Sequence, residues 1–225
     1  MKELKKIPTS KIQRATKLAE TGLKVGKNYL KYYTERVIKN DNDQAKKNLN
    51  KSNANDIYNG LTHLRGSALK AAQMISMDHS IVPEDYVEKF SLSQFSVPPL
   101  SKALILKVFQ KYFHKSPNEL FDEFNLTATK AASIGQVHKA KKDNKLLAVK
   151  VQYPGVADSV KSDLALLKPF AMKIFNIKGK GSDIYFKEIE KKLLEETNYE
   201  LELTQGVAFA MKCKSVKNVL FPKYY

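Results

Sequence analysis

The chain has 225 residues, 43% of them hydrophobic, and a formal net charge of +16. That length allows one large domain or two small ones, and the apolar fraction is enough for a buried core. A single cysteine, Cys213, excludes an internal disulfide framework and a cysteine-based zinc site. No uncharged apolar run approaches the roughly 20 residues that a spanning helix needs, and no secretory-signal pattern opens the chain.

The charge is unevenly spread. Residues 1–40 carry 11 Lys/Arg against 3 Asp/Glu, so half of the excess lies in this short stretch. Pro8-Thr9-Ser10 reads as a helix start. Ile12, Ala15, Ala19, Leu23, Gly26, Leu30, Tyr33 and Val37 follow at helical spacing, with Lys11, Arg14, Lys17, Lys24, Lys27 and Lys31 on the opposite face. A basic amphipathic helix of this kind packs on the protein's own body or lies on a membrane surface. Its charge also suits nucleic acid, but no recognition motif accompanies it, so no specific nucleic-acid partner is expected.

Residues 41–56 are polar and asparagine-rich and read as a linker. A helical region is expected from Ile57 to Met77, with Ile57, Leu61, Leu64, Ala68, Ala71 and Ile75 on one stripe. Pro83-Glu84-Asp85-Tyr86 opens another helix, and Val97-Pro98-Pro99-Leu100 breaks the pattern. Ser101 caps a helix to about Phe113, and Ser116-Pro117-Asn118-Glu119 fits a further start. Residues 57–125 therefore read as a helical extension, and residues 126–225 as a second unit.

That second unit opens with Ala131-Ala132-Ser133-Ile134-Gly135-Gln136-Val137-His138, a loop of small residues running into a strand. Such loops let backbone N–H groups approach a phosphate closely. Asp143-Asn144 fits a hairpin tip, and Leu146-Leu147-Ala148-Val149-Lys150-Val151 is a buried-strand run interrupted by one lysine. A lysine there needs an anion. From Asp183 a long Glu-rich helix is expected to reach about Lys212, and Val219-Leu220-Phe221-Pro222 looks strand-like. His63, His79 and His114 have no metal-ligand spacing, so no metal site is expected.

Loop, strand, hairpin, strand lysine and Glu-bearing helix follow the order of a protein-kinase small lobe. The alanines in place of glycines narrow this. The loop resembles that of the AarF/UbiB family of atypical kinases. So do Lys70-Ala71-Ala72-Gln73 (a K-x-G-Q-type segment), Val149-Lys150-Val151-Gln152-Tyr153-Pro154-Gly155, and Glu196-Thr197-Asn198-Tyr199-Glu200-Leu201-Glu202 (an E-x-D-type segment). Ala72 replaces the glycine of the first pattern and Asn198 the aspartate of the last, while Lys130 stands where the loop is usually small.

The resemblance implies an α+β fold: a small antiparallel sheet with a Glu-bearing helix, and a helical N-terminal extension. It implies that Ala131, Ala132, Ser133, Gly135, Gln136 and Lys150 bind ATP or ADP, with Mg²⁺ in the full-length protein. Glu196 or Glu202 would hold the lysine, with Asn198 beside them, and Lys70 and Gln73 would lie on the extension. It further implies support of isoprenoid-quinone or lipid metabolism at the inner face of a membrane, by a cytoplasmic protein partnered by nucleotide and by a membrane surface or quinone-biosynthesis proteins. No His-Arg-Asp-like loop and no Asp-Phe-Gly occurs, and the last aspartate is Asp183, so no catalytic residue is assigned. The expectation is the incomplete N-terminal part of a kinase-like ATPase, inactive alone; the alternative is a non-enzymatic membrane-surface or regulatory module.

Overall fold

The computed structural model describes residues 8, 10–39, 42–91, 97–177, 179 and 181–225. Helices α1 (Lys11–Lys39) and α2 (Asn42–Leu64) lie along each other. The expected linker over residues 41–56 is thus mostly the first half of α2, with residue 41 outside the described residues. Ala45, Leu49, Asn53, Ala54, Leu61 and Leu64 form its buried stripe, so four-residue spacing of a few small apolar groups outweighs the asparagine-rich composition. Asn28 ties the polar part down, donating to Asn53 Oδ1 at 3.1 Å and Asp56 Oδ2 at 2.9 Å. A Cβ at Gly60 would collide with the Thr21 hydroxyl, so glycine sets how closely the two helices approach.

The face that α1 buries also differs from expectation. Arg14, Leu18, Thr21 and Val25 point inward, while Ile12, Leu23, Leu30, Tyr33 and Val37 are exposed. Arg14 is drawn inside by Asp163 of α7 (Val156–Ile174): Nε donates to Oδ1 at 2.7 Å and Nη2 to Oδ2 at 2.5 Å. Arg14 Nη1 also donates to the Leu64 carbonyl at 3.0 Å, and Nη2 to that of Arg65 at 3.3 Å. The end of α2 is satisfied in this way. Ser67 donates to the same aspartate from the start of α3 (Gly66–Ser76).

The helix expected across residues 57–77 is broken at Arg65, whose φ is +57°, followed by Gly66 at +61°. The break turns α3 so that Gly66 N donates to the Ser133 carbonyl at 2.9 Å. Val156 fills the space where a Gly66 Cβ would sit. α4 (Glu84–Ser91) completes this helical layer, whose core joins α1, α2, α3, α4, α7 and α8 (Gly181–Thr197) through Leu18, Leu61, Ala68, Tyr86, Val160 and Leu193.

A second core joins α5 (Lys102–Phe113) to an antiparallel sheet through Ile105, Phe109, Ile134, Val151 and Tyr153. Ser116 donates from its backbone and hydroxyl to Glu119, at 2.6 and 2.7 Å, at the start of the short α6 (Pro117–Leu120). In the sheet, β3 (Gly135–Lys142) is central. β4 (Lys145–Gln152) pairs along all of one edge, and β1 (Glu123–Phe124) and β2 (Lys130–Ala131) share the other. Asp143 and Asn144 both take positive φ at the hairpin tip, as the twist of a two-residue turn demands.

His138 on β3 is fully buried, stacked on Phe124 at 5.1 Å. Its Nδ1 lies 2.8 Å from the Asn125 carbonyl and its Nε2 3.0 Å from Gln136 Nε2, so Nδ1 carries the proton and Nε2 accepts. The long C-terminal helix is in fact two. Asn198 ends α8, and its side chain accepts from Leu201 N at 3.0 Å to cap α9 (Tyr199–Lys212). Residues 219–222 form no strand.

Two stability outcomes follow. Asp163→Ala leaves Arg14 buried without its carboxylate and should cost about 3–5 kcal/mol in urea unfolding, while Glu20→Ala on the exposed face of α1 changes little. Burial also holds the His138 imidazole below its ordinary pKa, the Asn125 carbonyl partly opposing this. The unfolded chain therefore takes up the proton first, so stability is full above the unfolded value and falls as pH drops below about 6.5. His138→Phe should flatten that part of a urea-midpoint-against-pH curve.

Candidate nucleotide site

The site is built where α3, the small-residue loop, β4 and α9 meet. Register places it. Lys130, Val137 and Lys150 lie opposite one another across β2, β3 and β4, so their side chains share one face of the sheet. Gln136 and His138 alternate to the other face. A cavity of about 460 Å³ opens on the first face, within the usual range for small-ligand sites. Lys70, Gln73, Lys130, Ser133, Lys150 and Glu196 supply its polar lining, and Met74, Met77 and Val137 its apolar wall.

Two lysines are fixed by two glutamates. Lys150 Nζ donates to both carboxylate oxygens of Glu202, at 2.8 and 2.6 Å. Lys70 Nζ meets Glu196 Oε1 at 2.7 Å. The sequence left open which glutamate holds the strand lysine; the geometry gives Glu202 to Lys150 and Glu196 to the lysine of the extension. Both pairs are partly exposed, with side-chain accessibilities of 22–45%, so they serve positioning more than stability.

Tyr199 was missed in the sequence. Its ring lies 4.4 Å from Lys150 Nζ, a cation–π contact that braces the ammonium opposite Glu202. Its hydroxyl is buried without a hydrogen-bond partner, and burial pushes its pKa upward, Glu202 and Glu196 adding to the shift. A Cβ at Gly135 would stand 2.8 Å from that hydroxyl and 2.8 Å from the Val151 carbonyl, so only glycine fits at this point of the loop. The position of Tyr199 immediately after Asn198, at the start of a helix carrying Glu202, was the available signal.

The loop itself is tight: Ala132 N donates to the Gly135 carbonyl at 2.8 Å. Ala132, Ser133, Ile134 and Gly135 line the cavity, while Ala131 stands in β2 beside it. Gln136 also lines the cavity and has a second use. Its buried side chain accepts from Leu100 N at 2.8 Å and reaches His138, so it fastens the segment before α5 to the underside of the sheet. Asn198 caps α9 and lies on the outer surface beside Lys191 and Leu194, not in the cavity. Among the described residues no group of three His, Cys, Asp or Glu side chains converges as a metal site.

The arrangement offers an anion three ammonium groups, those of Lys70, Lys130 and Lys150, and a turn of backbone beneath a small-residue loop, in the order that the kinase small lobe uses. Sequence comparison finds atypical kinases among the chain's relatives. The chain is 30% identical over 91% of its length to the atypical kinase COQ8B, mitochondrial, of Rattus norvegicus, covering 40% of that protein. It is 35% identical over 68% of its length to the atypical kinase coq-8, mitochondrial, of Caenorhabditis elegans, covering 21% of it. In the solved Rv3197–erythromycin complex from Mycobacterium tuberculosis, the matched region covers 81% of this chain and 49% of that one, at 26% identity and a TM-score of 0.43. The chain thus spans less than half of each of these proteins. Residues 92–225 match the ABC1 atypical kinase-like domain, and with more than half of its length so matched, the chain belongs to that family of AarF- and COQ8-type atypical kinases.

Proposed function

We propose that these residues form the nucleotide-binding part of an ABC1-type atypical kinase or ATPase that supports isoprenoid-quinone or lipid metabolism at a membrane. One observation carries the reading: Lys150, gripped by Glu202 and the Tyr199 ring, stands under a loop whose Gly135 admits no side chain. Lys150 would bind the phosphates, Glu202 would keep its ammonium in place, and the Ser133 backbone N–H would donate to a phosphate oxygen, that of Ala132 being held by the Gly135 carbonyl. The bound nucleotide supplies the transferable phosphoryl group. Magnesium would be held chiefly by the phosphates, because among the described residues Glu196 is the one acidic group lining the cavity and it is occupied by Lys70.

The same pair suggests why ordinary protein substrates would be disfavoured. Lys70 and Gln73 bring α3 to the cavity as one of its walls, and the Gly66–Ser133 hydrogen bond fastens that helix to the loop. The sequence contains no His-Arg-Asp-like loop and no Asp-Phe-Gly, so the 225 residues are expected to bind without turnover.

A specific observation favours a membrane surface as partner. Ile12, Leu23, Leu30, Tyr33 and Val37 expose 57–84% of their surface along one side of α1, with Lys24, Lys27 and Lys31 beside them. An apolar stripe rimmed by lysines suits the boundary of an anionic bilayer. Among the described residues no helix is long and apolar enough to cross a membrane.

The nucleotide reading is tested by calorimetric titration with ATP and magnesium. Lys150→Ala should weaken binding about tenfold or more, the worth of a charge-assisted hydrogen bond, while unliganded thermal stability holds; equal affinity in the variant would refute the assignment. For the membrane reading, the Leu23→Asp/Leu30→Asp double variant should lose most co-sedimentation with phosphatidylglycerol-containing vesicles, and neutral phosphatidylcholine vesicles should bind the wild type poorly. Wild-type binding indifferent to lipid charge, or unchanged in the double variant, would exclude this use of α1.

A further inference from the structure

Three ammonium groups line the cavity, and one carboxylate lines it with them. Two of the three are already satisfied in the folded chain: Lys70 by Glu196 at 2.7 Å, and Lys150 by Glu202 at 2.6 Å. Lys130 is not. It is exposed, and among the described residues it has no ion pair. Its place is nevertheless fixed, because β2 pairs Lys130 with Val137, and Val137 pairs with Lys150 on the next strand. Directly opposed residues of antiparallel strands project to the same face. Lys130 and Lys150 are therefore two strand spacings apart, about 10 Å, on one cavity wall.

This changes what an incoming anion meets. To reach Lys150 or Lys70, a phosphate competes with a carboxylate already in place. Lys130 offers a full positive charge with nothing to displace. We propose that Lys130 is a further phosphate-contacting residue of this site, one that makes affinity depend on the phosphate charge of the ligand. The inference rests on the nucleotide reading above and goes beyond it by assigning the discrimination between polyphosphate and nucleoside to a named residue. A lysine serving only as solvated surface would show no such dependence.

Lys130 suits a direct test, because an exposed side chain without a partner can be removed without disturbing the fold. Binding of ATP, ADP and adenosine to the 225-residue chain would be measured for wild type, Lys130→Ala and Lys130→Arg at low and high ionic strength, with unliganded thermal midpoints as control. Lys130→Ala should weaken ATP about five- to tenfold and ADP less, and leave adenosine unchanged. Lys130→Arg should stay close to wild type, and the loss should shrink at high salt as the charge is screened. ATP affinity unchanged in Lys130→Ala, or an equal loss for ATP and adenosine, overturns the assignment while leaving the Lys150 site intact. A wild type that binds no ATP, or binds it independently of Lys150, instead brings down the nucleotide reading and this inference with it.

Discussion

The buried pair of Arg14 and Asp163 is the constraint on which the rest of the molecule depends. An arginine 4% exposed and an aspartate with no exposure are costly to bury, and the cost is offset by the hydrogen bonds that both groups make. The guanidinium takes both aspartate oxygens and also the carbonyls that end α2, and the aspartate takes Ser67 at the start of α3. Four helices are therefore referred to one charge pair. The chain can leave α2 at Arg65 with a positive φ and an extended ψ, a strained combination for a residue with a side chain, because its carbonyl is held from one side and Gly66 from the other.

That break places the functional surface. If α2 and α3 were one straight helix, Gly66 would not reach Ser133 and Lys70 would not face Glu196. The extension and the sheet would then be two bodies sharing a chain. As built, the Lys70–Glu196 pair crosses from the extension to the end of α8, and Lys150–Glu202 crosses from the sheet to α9. No residue of α9 is buried, and Glu202 and Tyr199 at its first turn meet Lys150 of the sheet. The cavity is thus bounded by a rigid sheet on one side and by groups held through exchangeable ion pairs on the other. Such pairs can accept a phosphate by trading partners, where a buried apolar wall could not.

Much of the site was legible because it rests on local rules. A lysine in an apolar strand, small residues before it, a two-residue hairpin tip and a Ser–Glu helix start each follow from neighbouring residues alone. Period-two alternation could have gone further, since it separates Gln136 from Val137 and Lys150 once β3 is recognised as a strand. Tyr199 was harder to see. Its importance comes from an approach to Gly135, 64 positions away in sequence, where the missing Cβ leaves room for the hydroxyl.

The sequence by itself determined the elements that need only nearest neighbours, their order, and the family pattern they spell. The tertiary structure decided which side of each element is used. Helix α1 has apolar residues on two faces, and its inward face was chosen by Asp163, a residue 149 positions away. Residues 42–56 became helix because α1 lies along them, with Asn28 holding Asn53 and Asp56. Glu202 rather than Glu196 went to Lys150 because the turn at Asn198 starts a new helix in a new direction. Each of these outcomes is a contact between residues far apart in the chain, and no local spacing encodes it.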